Sequence, residues 1–320
     1  MSYSSTHRAA EAAAASVAGN GARNSHGRLM QRTAWAAVGV AIFLILLKAV
    51  AYVLTDSIAM LASLADSALD VFASSINLLA IRHALTPADY EHRFGHGKAE
   101  PMAGLMQSAF IGGSVVFLGI ESVGRLVAPH PIAHGSIAIL VMAVSIAVTL
   151  ALVTIQQITV AKTGSVAISS DRMHYVGDLL TNLGVVLGIV LSTQFGILEA
   201  DPVIGLVVAG ILAFSAWHVF RESYNQLMDR ELPDVDRERI RDIVMRHAEV
   251  QAMHDLRTRA AGIATFIQLH IELDPALSLV RAHEVSDAVE KDIMAAFPNA
   301  EIIIHQDPAG LENPTPLAQS

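Results

Sequence analysis

Six apolar runs occupy about residues 33–54, 58–82, 101–126, 136–161, 166–192 and 202–224, with short polar connections between them. Each reaches or exceeds the ~20 residues a helix needs to cross ~30 Å of hydrocarbon at ~1.5 Å per residue, so the pattern predicts six transmembrane helices. Beyond about residue 232 the periodicity changes. "DVDRERIRDIVMRHA" carries apolar positions at helical spacing, and "DLRTRAAG" and "IATFIQLHIEL" alternate like paired strands with a turn near Gly262. "SLVRAHEVSDAVEKDIMAAF" reads as an amphipathic helix and "AEIIIHQDP" as a closing strand. These elements predict a small α/β domain of order αββαβ, two layers with an open-faced antiparallel sheet.

The expected organisation is a disordered cytoplasmic tail over 1–30, a six-helix membrane domain over 31–228, a cytoplasmic α/β domain over 229–308 and a C-terminal tail over 309–320. No cleaved signal peptide is expected, because the first apolar run is long enough to stay in the membrane. Arg28, Arg32, Arg82, Arg93, Lys98, Lys162, Arg221 and Arg230 flank connections on one side, against only Arg125 near the alternate ones. The positive-inside rule then places both termini in the cytoplasm.

Composition fits this picture: 53% of the 320 residues are hydrophobic and 16% charged. That is too apolar for an ordinary soluble domain. The formal charge of −9 argues against nucleic acid as a partner. There is no cysteine, so any metal must be held by His, Asp and Glu.

Charges inside spans cost at least ~2.5–3.5 kcal/mol each at the centre and mark function. Span two holds Asp66 and Asp70, and span five holds His174 and Asp178, each pair at i,i+4 on one helix face. Entering from opposite sides, the two pairs reach roughly 13 and 20 Å inward and overlap near the midplane. Three carboxylates and one imidazole at one depth suit Zn²⁺, and Fe²⁺, Mn²⁺, Co²⁺ and Cd²⁺ are compatible. A competing reading lets a span aspartate cap a broken helix or pair with Lys48. Arg172, beside Asp171 and two residues before His174, is open to three readings: a pair with Asp171, a place facing the cytoplasmic entrance, or repulsion that lowers metal affinity. Spans two and five are the middle helices of two three-helix halves of opposite orientation, a topology that hints at an inverted repeat.

"DSALD", "HRFGHGKAE", "HYVGD" and "IIIHQDP" occur in order across these spans and the closing strand. Together they resemble the cation diffusion facilitators, particularly the bacterial zinc and ferrous-iron efflux members, over about residues 30–308. The resemblance implies an α-helical membrane protein with six transmembrane helices and a ferredoxin- or metallochaperone-like cytoplasmic domain. It also implies a homodimer in the bacterial inner membrane that exchanges Zn²⁺ or another divalent cation for protons by alternating access. Asp66, Asp70, His174 and Asp178 would be the transport site, and Asp89, His92 and His96 a second site in the loop after span two. His254, His270, His283, His305 and Asp307 would bind metal in the cytoplasmic domain, with His254 just before the first strand. Lys98 would form a salt bridge with Asp229 that couples the two parts.

An intramembrane zinc protease needs H-E-x-x-H, and this chain offers only "HEVSD" at 283–287. There is no G-x-S-x-G and no phosphate-binding G-x-x-x-x-G-K-[ST]. An enzyme is therefore not expected. A membrane-anchored metal sensor without transport is the alternative, and it has no need of midplane carboxylates.

Overall fold

Among the residues that the computed structural model describes are six long helices and a small mixed sheet with two further helices. It describes residues 3–55, 58–127, 136–195 and 200–310, with side chains described except at 3–24, 55, 58–62, 65, 136–139, 185, 188, 189, 192–195 and 201. The chain divides into two compact units, a helical one over Arg28–Tyr224 and a second that groups the residues up to Gly27 with the α/β part from Asn225 on.

The apolar runs become α1 (Tyr3–Thr55), α2 (Ile58–Ala84), α3 (Ala99–Val127), α4 (Ser136–Thr163), α5 (Val166–Phe195) and α6 (Ala200–Leu227). Stretches of α1, α3, α4 and α6 are long and apolar enough to cross a membrane by length and composition. Among the described residues, α2 and α5, which carry the ionisable pairs, are not in that set. The tail expected to be disordered over 1–30 is instead helical from Tyr3, and its alanines at 9, 10 and 12–15 are the strongest helix formers. Of the C-terminal tail, residues from 311 on lie outside the described residues.

Small residues set the helix packing. A Cβ added at Gly104 would collide with Ser223, and one at Gly205 with Ser122, so α3 and α6 meet closely at two levels. Ile111, Val208 and Leu212 fill the space around these contacts. On α5, Ser165 caps the first turn by accepting from the Ile168 N–H at 3.3 Å. Its hydroxyl also donates to the buried carboxylate of Glu100, which ties α3 to the start of α5.

In the α/β unit, α7 (Asp234–Met245), β1 (Ala252–Ala261), β2 (Ala264–Leu273), α8 (Leu279–Ala296) and β3 (Ala300–Pro308) follow the expected order. The sheet order is β1-β2-β3, with β1 antiparallel to β2 but β3 parallel to it. The expectation of an all-antiparallel sheet is thus corrected. Strands β2 and β3 are joined through α8, and a helical crossover returns the chain in the same direction, whereas a hairpin reverses it. Ile267, Leu269, Ile271 and Leu273 alternate onto one face of β2, where Ile240, Ile243 and Val244 of α7 and Val285, Val289 and Ile293 of α8 cover them. Each such burial contributes about 1.5–3 kcal/mol. The opposite face of β2, with Gln268, His270 and Glu272, is left uncovered by these helices.

Candidate metal centres

The inward face of α2 is a polar ladder, Ser67, Asp70, Ser74 and Asn77, all buried and spaced at helical periods. Helix α5 lies against it. His174 Nε2 stands 3.0 Å from Asp70 Oδ1 and 3.9 Å from Asp178 Oδ2, and the three groups place one ligand atom each within 4.8 Å of the others. Asp66, one turn before Asp70, is exposed on the helical unit and is not part of this trio.

A polar surround fixes the trio. Tyr175, fully buried beside His174, shares a 2.8 Å hydrogen bond with Ser74 and donates to the Ala37 carbonyl at 3.3 Å, joining α5 to α2 and α1. Gln156 of α4 donates to Asp171 Oδ2 at 2.7 Å. Asp171 therefore takes its partner from α4, and no Arg172–Asp171 ion pair occurs among the described residues. Lys48 does not reach a span aspartate either: it donates to Ser67 Oγ at 2.6 Å and to the Ser63 carbonyl at 3.3 Å.

The loop after α2 folds around one carboxylate. Asp89 Oδ1 accepts from the backbone N–H of Glu91 at 3.0 Å and of His92 at 2.6 Å, and Gly95 at φ 77 completes the turn. The His92 backbone N–H holds the Asp89 carboxyl below the usual carboxylate range, so this group stays ionised at neutral pH. His92 Nδ1 lies 3.3 Å and His96 Nε2 3.4 Å from Asp89, and the three form a second candidate centre. His83, at the end of α2, packs edge-on to His96 with ring centroids 4.5 Å apart. It stands well apart in sequence from the loop histidines, so only the fold brings it near.

On the open face of the sheet the register aligns His254 with His270 and His270 with His305 across all three strands. Asp307, buried at the end of β3, lies 2.8 Å from His270 Nδ1, 3.1 Å from His305 Nε2 and 3.4 Å from His254 Nε2. Four of the five expected residues are thus together. The fifth, His283, is exposed on α8 and faces Asp287 at 3.6 Å, and it belongs to neither candidate group. His254 lies within β1, not before it. Both its ring nitrogens are buried without a hydrogen-bond partner, a costly state that a cation coordinated at one of them would relieve in part.

Asp255, which the sequence reading passed over, joins His254 and His270 in a candidate group. Strand alternation would put it on the face opposite His254. A register shift between His254 and Arg257, with Asp255 at φ 49, inserts an extra residue and sends Met253 and Leu256 to the core. The Asp255 carboxylate consequently sits 3.8 Å from His254 Nδ1. Asp229, also at positive φ (53), lies in the turn after α6, where its Oδ1 is 3.3 Å from Arg259 Nη1, and Lys98 lies in the turn that leads into α3.

A family model for the cation efflux transmembrane domain matches residues 34–228, and one for the cytoplasmic domain of cation efflux proteins matches residues 232–309. The chain belongs to the cation efflux family. The cation-efflux pump FieF of Cronobacter sakazakii is 42% identical over 288 residues, which cover 90% of this chain and 96% of that one. FieF of Shewanella oneidensis is 44% identical over 280 residues, or 88% and 94% of the two chains. A solved structure of CzrB in its zinc form is 31% identical and covers 27% of this chain and 98% of its own, with a TM-score of 0.25. As a cation efflux protein the chain is a multi-pass membrane protein with a small α/β domain.

Proposed function

We propose that this chain exports divalent transition-metal cations from the cytoplasm across the bacterial inner membrane in exchange for protons. Zn²⁺ is the leading cargo, with Fe²⁺, Cd²⁺, Mn²⁺ and Co²⁺ as further candidates. The protein would work as a homodimer with both termini in the cytoplasm. The observation that carries this reading is the Asp70–His174–Asp178 cluster between two long helices of the membrane domain. The pump names of its relatives support the outward direction.

The donor set explains the exchange. Two carboxylates and one imidazole supply an O₂N site, and a fourth position stays open for Asp66 or water. An open position lets the ion enter and leave. Metal and protons compete for the same lone pairs, since coordination needs ionised carboxylates and neutral imidazole. Protons arriving from the acidic outside displace the ion, and their loss to the cytoplasm readies the site again. Asp89, His92 and His96 form a second, exposed and more weakly held site. The cytoplasmic cluster binds metal as a regulatory or structural ligand that favours the dimer.

In proteoliposomes with an imposed pH gradient, Asp70→Ala and His174→Ala are expected to abolish zinc flux, while wild type transports. Wild-type flux in either variant would sink the site assignment. Metal binding without flux in wild type would favour the sensor reading.

A further inference from the structure

The loop centre has a further imidazole at its edge. Asp89, His92 and His96 offer one oxygen and two nitrogens, one donor short of the four that a tetrahedral Zn²⁺ site uses. His83, at the end of α2, has its ring centroid 4.5 Å from that of His96. His92 lies 4.6 Å from His96 by the same measure. Two imidazoles bound tetrahedrally to one Zn²⁺ have centroids about 5 Å apart, given a Zn–N distance of about 2 Å. His83 is therefore as near to His96 as the histidine already placed in the centre, and at a spacing that suits two ligands of one ion.

The backbone that carries His83 is pinned, and its side chain is free to turn. The Thr86 hydroxyl and backbone N–H both donate to the His83 carbonyl, at 2.6 and 3.0 Å, which fixes the end of α2. The His83 side chain is exposed. The ligand atoms within 4.8 Å of one another belong to Asp89, His92 and His96 alone, so His83 must rotate about its side-chain bonds to bring a nitrogen in. His96, the ring it meets, is held firmly. Its side chain is only 7% exposed, its Nε2 faces Asp89 Oδ2 at 3.4 Å, and its Nδ1 is buried without a hydrogen-bond partner. A histidine in the last turn of a helix can also serve the helix dipole when protonated. That role needs no contact with a second imidazole.

We propose that His83 is a fourth protein ligand of the loop centre, which closes as an Asp–His₃ site around Zn²⁺ or a similar divalent ion. Its nitrogen takes the position that water would otherwise fill, and the ion then links the loop to α2, the helix that also carries Asp70. Three imidazoles and one carboxylate suit Zn²⁺ and Co²⁺. This inference rests on the reading of Asp89, His92 and His96 as a metal site.

The test uses the full-length chain in detergent, with Asp70→Ala and Asp307→Ala to weaken the other two centres. Co²⁺ is the spectroscopic probe, because its visible bands are intense in a four-coordinate site and weak once water raises the coordination number. Zn²⁺ affinity is measured by displacing the Co²⁺. His83→Phe keeps a ring against His96 and removes both nitrogens. It is expected to weaken Zn²⁺ binding by about tenfold or more, at least the loss seen for a group that only supports a ligand. The Co²⁺ bands should weaken or move to lower energy as water replaces a nitrogen. His83→Gln should act in the same direction, and it gives the answer if the phenylalanine variant fails to fold.

Unchanged affinity and spectrum in these variants overturn the proposal. So does a fall in affinity with an unchanged spectrum, which would mean that His83 only positions His96. His92→Ala in the same background separates the two readings. If it leaves Co²⁺ binding and spectrum intact, the loop-site assignment fails and the His83 proposal with it. If it abolishes binding while His83→Phe changes nothing, only the His83 inference fails.

Discussion

At the scale of single residues, the candidate centres depend on a few positions where local backbone geometry overrides the regular pattern. Asp255 is the clearest. Its left-handed φ of 49 costs a non-glycine residue about 1 kcal/mol or more, and it turns the carboxylate toward His254 while Leu256 stays in the core. Asp255→Gly removes the carboxylate and suits the backbone, whereas alanine would keep the strain. The glycine variant is expected to weaken metal binding at the cytoplasmic cluster by about tenfold, as for loss of one supporting group. Its metal-free unfolding temperature should not fall. Calorimetric titration with Zn²⁺ together with a thermal scan checks both, and unchanged affinity would remove Asp255 from the cluster. This residue was illegible in the sequence because alternation assigned it to the wrong face, and nothing in "MHDLRT" marks a bulge. Asp70, His174 and Asp178 were legible for the opposite reason: a charge in an apolar run stands out, and i,i+4 spacing fixes its face. Sequence did not distinguish Asp66 from them, since the rotation of α2 against α5 decides which of its carboxylates meets His174.

At the scale of elements, helix number and order followed from hydrophobic length, and strand direction did not. The alternation in "AEIIIHQDP" predicts a strand and is silent on whether it runs with or against β2; the α8 crossover settles that. The resulting register is what lines up His254, His270 and His305, so the cytoplasmic cluster is a property of the sheet more than of any motif. The helix contacts are similarly specific. Gly205 has no room for a Cβ beside Ser122, and Gly104 none beside Ser223. Gly205→Leu is expected to force α6 from α3 at a cost of at least about 1–3 kcal/mol, the range for overpacking a filled interface. Size-exclusion chromatography and the detergent melting temperature should show a less stable or aggregated protein. A wild-type melting profile would mean that α6 packs differently.

At the scale of the whole molecule, three His- and carboxylate-rich centres occupy different surroundings, and their chemistry divides accordingly. The loop centre is exposed and built on one ionised aspartate, the sheet centre is organised around buried Asp307, and the membrane centre lies between α2 and α5. Among the described residues, only the last lies on helices of the domain matched by the cation efflux transmembrane family model. In the proposed function, passage therefore falls to Asp70, His174 and Asp178, and the other two centres modulate it. Zinc flux into sealed vesicles under a pH gradient, compared between Asp178→Ala and His305→Ala at equal protein incorporation, tests that division most directly. The account predicts no flux above protein-free vesicles for Asp178→Ala and substantial, gradient-dependent flux for His305→Ala. Retained flux in Asp178→Ala, or its abolition in His305→Ala alone, would contradict it.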